Sequence, residues 1–190
     1  MQVVEAALEA SHSPFVREGL LYHGQGELLK AADYYRKAHF TDAQDADALL
    51  LLGVIARQTK QFAASVQLIA RALTLRPQAA HCHVNLGLAH FAAGEMDTAR
   101  SCYQCALEID AQNAQSWCCL GDVAVQQDQE EEGFAHYEYA IAVDPQFWSA
   151  RFSLGHLLCR RERYEDAAAF YREAIEIAHA SQKCTSPRDR

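Results

Sequence analysis

Seven cysteines and nine histidines are the most chemically versatile side chains in this sequence. Cys102-x-x-Cys105 has the spacing of a redox dithiol. Such a pair works at a helix N-terminus in a βαβ setting, where the thiolate is stabilised. Here it falls in the middle of a helical pattern, so both cysteines read as small packing residues. His81-Cys82-His83 and Cys118-Cys119 offer zinc-ligand types. Zinc needs four convergent ligands, and adjacent helical residues do not share a face. His83 and His90 take core phases of the pattern. No nucleophile elbow, HExxH or phosphate loop occurs. These residues predict no enzyme, no metal site and no cofactor.

The elements that hold these side chains are periodic. Ala80 to Asn113 reads as two amphipathic helices joined at Gly94-Glu95, and its landmarks recur every 34 residues. Gly19, Gly53, Gly87, Gly121 and Gly155 share one phase. Ala38, Ala72, Ala106, Ala140 and Ala174 share another. Tyr35, Tyr103, Tyr137 and Tyr171 share a third, with Ile69 in the second copy. A fixed period in this range is the mark of stacked supersecondary units, each unable to bury its apolar face alone. The glycines read as sites of close helix packing rather than as a phosphate loop.

In these residues the chain resembles the tetratricopeptide repeats. Trp117, Leu120-Gly121, Gly133, Tyr137, Ala140 and Pro145 follow the family pattern in one copy, and Phe15, Gly19, Ala31, Tyr35 and Ala38 in another. The resemblance implies an all-α fold, a right-handed α-solenoid of five 34-residue helical hairpins. The frame sets repeats at 12–45, 46–79, 80–113, 114–147 and 148–181. Residues 1–11 read as a leading helical segment and 182–190 as a disordered tail. Glu18 departs from the usual Leu. Arg151 stands where a bulky apolar residue is usual, with Trp148 or Phe152 expected to compensate. No sixth amphipathic helix follows, so the last helix is expected to leave apolar surface for a second copy of the chain, or further sequence, to cover.

The net charge is −8. Repeat four holds seven acids and neither Lys nor Arg, the reverse of the basic stripe a nucleic-acid binder shows. Asp128, Glu130, Glu131 and Glu132 form a candidate acidic patch; the competing reading is a helix start whose carboxylates suit the macrodipole. The apolar runs fall short of the ~18 residues of a membrane span. The N-terminus has no basic leader, and the unpaired thiols fit a reducing compartment, so the chain reads as cytoplasmic.

The resemblance also implies that inner helices line a concave groove that binds protein or peptide. The phases assign Arg17 and Leu20, then Leu50, Leu51, Val54 and Arg57, then His81, Val84, Asn85, Leu88 and Phe91, then Asp122, and finally Phe152, Ser153 and His156. Chaperone-tail adaptors clamp a terminal carboxylate with Lys, Asn and Arg. Here those phases hold Val16, Leu20, Leu51, His81 and Asn85, so the clamp is missing. The Asn ladder of the O-linked N-acetylglucosamine transferase superhelix is missing too, with Arg17, Leu51, Cys119 and Ser153 at its other rungs. An apolar strip with polar spots suits an amphipathic helix or an extended apolar peptide, with basic character where repeat four is met. The expected function is a non-catalytic interaction scaffold or adaptor. Two other readings stay open: a targeting or regulatory segment of a larger enzyme such as a glycosyltransferase, and a secretion or assembly chaperone. The same groove residues are open to a second reading, as packing between hairpins.

Overall fold

The computed structural model describes residues 13–184. Among the described residues there are ten helices and no strand. They are α1 (Pro14–Gly24), α2 (Leu28–Thr41), α3 (Ala46–Gln58), α4 (Phe62–Leu75), α5 (Ala80–Ala93), α6 (Met96–Ile109), α7 (Ala114–Gln126), α8 (Glu130–Val143), α9 (Trp148–Arg160) and α10 (Tyr164–Cys184). Each predicted repeat supplies one hairpin, and the result is an α-solenoid of helical hairpins. The predicted leading helix lies outside the described residues, as do 185–190 of the predicted tail. Helix α10 continues to Cys184, three residues past the predicted end of repeat five. The chain forms two compact units, one through Cys105 and one from Ala106, with the boundary inside α6.

Five similar turns close the five hairpins. Gly26, Lys60, Gly94, Asp128 and Glu162 all have positive φ, between 58° and 84°. In every case the next residue's N–H returns to a carbonyl five positions back: Glu27 to Tyr22, Gln61 to Ala56, Glu95 to His90, Gln129 to Ala124 and Arg163 to Leu158. This is the Schellman end, whose left-handed residue satisfies carbonyls the helix leaves open. Glycine takes that conformation freely, whereas a side chain is disfavoured there by about 1–2 kcal/mol. Lys60→Gly is therefore expected to stabilise the fold by about 0.5–1 kcal/mol after the added freedom of the unfolded chain is subtracted. A chemical-denaturation midpoint equal to or below wild type would show that the Lys60 side chain contributes more than the turn costs it.

In the first unit, Val16, Leu20, Ala31, Tyr35, Ala38, Leu51 and Ile55 form one core cluster. Leu49, Leu50, Ile69, Ala72, Cys82 and Ala89 form the next. Helix α3 belongs to both, because Leu51 packs back on repeat one while Leu50 packs forward on repeat three. Ten of its thirteen residues are buried, which leaves it little free face. In the second unit the core gathers Tyr137, Phe147, Leu154, Leu157, Leu158 and Ala167.

Arg151 keeps its place by a route the sequence pattern hides. Its Nη1 donates to the Pro145 carbonyl at 2.7 Å and its Nε to Glu173 at 3.1 Å. Trp117 Nε1 makes the equivalent bond to the Ala111 carbonyl at 3.1 Å, and His83 Nε2 lies 3.1 Å from the Pro77 carbonyl. In repeats three to five this phase carries a side-chain nitrogen to the carbonyl six residues earlier, whereas repeats one and two place Phe15 and Leu49 there. Trp148 and Phe152 do not compensate for Arg151; they stay 43 % and 52 % exposed.

The aromatic phase likewise carries a hydroxyl as well as bulk. In repeat one, Tyr35 Oη lies 3.3 Å from His23 Nδ1, and His23 Nε2 lies 3.1 Å from Gln58 Oε1. Gln58 Oε1 only accepts, so Nε2 carries the proton and Tyr35 donates to Nδ1 in the neutral ring. Burial pushes the His23 pKa below its usual value, against the Gln58 hydrogen bond that raises it. The unfolded chain then binds more protons than the folded one just below the ordinary histidine pKa, so stability falls as pH drops through about 6.5. His81, also shifted down, adds to the same trend. His23→Gln is expected to reduce the loss in melting temperature between pH 7.5 and 5.5. Equal losses in the two proteins would remove His23 from this role.

Candidate functional site

The inner helices α1, α3, α5, α7 and α9 carry the predicted groove. The structure places Leu20, Leu50, Leu51, Val54, Val84 and Asn85 in the interior, each at most 5 % exposed. These six pack hairpin against hairpin, the second of the two readings open to them, and offer a partner little surface. Asn85 Nδ2 donates to the His81 carbonyl at 2.7 Å, and its Oδ1 is buried without a donor. The other predicted groove residues reach solvent: Arg17 and His81 are exposed, and Arg57, Leu88, Phe91 and Asp122 are half-buried. His81 keeps an open edge, yet the surrounding protein withholds enough water to lower its pKa, against the nearby Asp47 carboxylate. That carboxylate is held by Arg76 in a two-pronged pair at 2.6 and 3.1 Å.

The predicted acidic patch lies against basic side chains. Arg160 and Arg161, at the end of α9, meet it from the following repeat. Glu130 lies 3.0 Å from each of them, Glu131 lies 3.1 Å from Arg161, and Asp128 lies 3.8 Å from Arg160. Glu132 faces His136 at 3.4 Å. Glu130 and Glu131 tie α8 to the end of α9, while Glu132 pairs within α8, with each exposed pair worth about 0–1 kcal/mol. They are not a field of free negative charge.

Asp122 differs from them. Tyr137 Oη donates to Asp122 Oδ1 at 2.8 Å, and Ser153 Oγ lies 3.5 Å from the same oxygen. Oδ2 takes neither bond. Burial pushes the Asp122 carboxyl up, while Tyr137, Ser153 and nearby His156 oppose the shift. Ser153 Oγ also accepts a long contact, 4.0 Å, from the Cys118 thiol. The sequence pattern treats Tyr137 as packing bulk; only the choice of Tyr over the Ile69 of repeat two hints at its hydroxyl.

The cysteine chemistry is muted. Burial pushes the Cys82 thiol up to about 12 and the Cys102 thiol up to about 11, and it raises Cys118 well above the usual thiol range. The nucleophilic thiolate is scarce at neutral pH in each case. Among the described residues no three His, Cys, Asp or Glu side chains converge as metal ligands. No described helix is long and apolar enough to cross a membrane.

Helical hairpins repeating every 34 residues, with Gly against Tyr in four of them and against Ile69 in the second, define a repeat protein of the α-solenoid class. The tetratricopeptide repeat family profile matches residues 16–80, 61–114 and 119–181, and the chain belongs to that family. It is 26% identical over 138 residues to the protein CTR9 homolog of Arabidopsis thaliana, a match covering 67% of this chain and 13% of that protein. The chain thus spans about an eighth of that relative. Among solved structures it is similar to TTC0263, a thermophilic tetratricopeptide protein of Thermus thermophilus, with TM-score 0.79 at 19% identity over 92% of this chain and 91% of that one. It is similar also to Pseudomonas aeruginosa pilF, with TM-score 0.73 and 19% identity over 92% and 76% of the two chains. A crystal structure of MamA gives TM-score 0.65 and 22% identity over 87% and 96%. At these identities the structures share the fold.

Proposed function

We propose that this protein is a non-catalytic scaffold that holds a peptide or protein segment against its inner-helix face. The observation that supports the reading is selective exposure. Core packing takes Leu50, Leu51 and Val84, yet His81, Leu88, Phe91 and Asp122 on the inner helices still reach solvent. Within the first unit His81, Leu88 and Phe91, all on α5, combine apolar surface with a polar ring able to fix orientation, the composition of a peptide-binding face. The partner is expected to be partly apolar, with basic character toward Asp122. A second reading, a repeat segment acting within a longer protein, draws on the match to 13% of the CTR9 homolog.

The test is binding of a co-purified partner, reconstituted as a pure segment, to the full chain. Leu88→Ala with Phe91→Ala should weaken it at least about 10-fold, since burying each large apolar side chain is worth roughly 1.5–3 kcal/mol. Phe40→Ala, on the outer helix α2 and 94 % exposed, should leave it unchanged. Loss with Phe40→Ala and none with the α5 variants would move the site to the outer helices.

A further inference from the structure

We infer that Asp122 reads a cation: the α7–α9 face of the second unit takes a lysine or arginine side chain of a partner segment, with Asp122 as its counter-charge. The inference rests on the groove-binding reading above and names what that groove selects.

Several acids have a built-in ionic partner, whereas Asp122 is half-buried against neutral hydroxyls. Asp47 has Arg76, Glu130 has Arg160 and Arg161, and Glu173 has Arg151. Among the described residues no Lys or Arg pairs with Asp122, and residues 106–147 contain neither type. Its hydrogen-bond partners are the neutral hydroxyls of Tyr137 and Ser153, both on Oδ1. That arrangement fixes the carboxylate's direction and leaves Oδ2 to accept from outside. A carboxylate partly withdrawn from water and without a Lys or Arg partner is costly to keep charged, and a docked ammonium or guanidinium offsets that cost. Guanidinium fits well, because its planar fork can use Oδ2 and a neighbouring acceptor together.

The surroundings suit such a guest. His156 lies near enough to favour the charged form of Asp122. Phe152, one turn before it on the same face of α9, is 52 % exposed and packs on Tyr171 with ring centroids 5.2 Å apart. An exposed ring on the helix that also brings Ser153 and His156 to Asp122 can accept the aliphatic stem of Lys or Arg, or an apolar neighbour of it.

The experiment selects random peptides of about twelve residues against the full chain and measures the winners as capped synthetic peptides by fluorescence polarisation at pH 7.5. The expected winners carry Lys or Arg beside an apolar residue. They should bind Asp122→Asn at least about 10-fold more weakly, as loss of a charge-assisted contact implies. Replacing the peptide's Arg or Lys with norleucine should cause a similar loss, a readout independent of how any variant folds. Glu138→Gln, at an exposed acid on α8, should bind as wild type does. Winners that tolerate both Asp122→Asn and norleucine would overturn the cation reading while leaving groove binding intact. A selection that yields no binder would overturn both.

Discussion

Leu50→Asn is expected to destabilise the protein by about 4 kcal/mol, a large share of the roughly 5–15 kcal/mol that holds an ordinary domain folded. Leu50 is 2 % exposed among Leu49, Ile69, Ala72, Cys82 and Ala89. Truncating a buried Leu costs about 2–5 kcal/mol, and an amide left there without partners costs about 1–3 kcal/mol more. Phe91→Ala is the comparison: a half-buried residue near the end of α5 should lose about 1 kcal/mol. Urea unfolding followed by far-ultraviolet circular dichroism measures both. Losses within about 1 kcal/mol of each other would mean that α3 presents Leu50 to the groove after all.

That contrast marks how far the sequence alone carries. A 34-residue period sets which helix, and which side of it, each residue occupies. It places the five hairpins, the Gly phase and the aromatic phase. It does not set depth. Leu50 and Leu51 are one residue apart, and α3 is pressed from both neighbours, so a phase expected to be open is closed. Leu88 and Phe91, nearer the end of α5, remain half-buried.

Charge is hidden for a related reason. Counting acids within repeat four isolates Glu130 and Glu131 from Arg160 and Arg161, although the hairpins bring them to 3.0 and 3.1 Å. Asp122 looks like one acid among seven, and only its neutral partners set it apart. The left-handed turn residue has no composition signal, because glycine occupies it in two repeats and Lys60, Asp128 and Glu162 in the other three.

Gly121→Val is expected to cost about 3 kcal/mol and to disturb Asp122 at the same time. A Cβ on residue 121 would lie 2.5 Å from Tyr137 Cε1 and 2.6 Å from Cδ1, well inside contact distance. Tyr137 is 3 % exposed, and its ring belongs to the packed core of the second unit, so there is little room to yield. Overpacking of this kind costs about 1–3 kcal/mol. A tilted ring would also draw its hydroxyl away from Asp122, forfeiting a hydrogen bond to a charged group worth about 1.5–3 kcal/mol. The gain in helix propensity over glycine is below about 1 kcal/mol and cannot cancel these losses. Gly24→Ala serves as the control, since a Cβ there meets nothing within 4 Å and should be neutral or stabilising by up to about 1 kcal/mol. The two consequences separate by measurement. Calorimetry reads the packing loss. Carboxyl chemical shifts followed over pH read Asp122, whose pKa should climb further once the Tyr137 donor that now lowers it is gone. If Gly121→Val melts with wild type, the ring has a second rotamer to occupy. If it melts early while Asp122 titrates as before, the hydroxyl kept its partner and the Gly–Tyr contact serves packing alone.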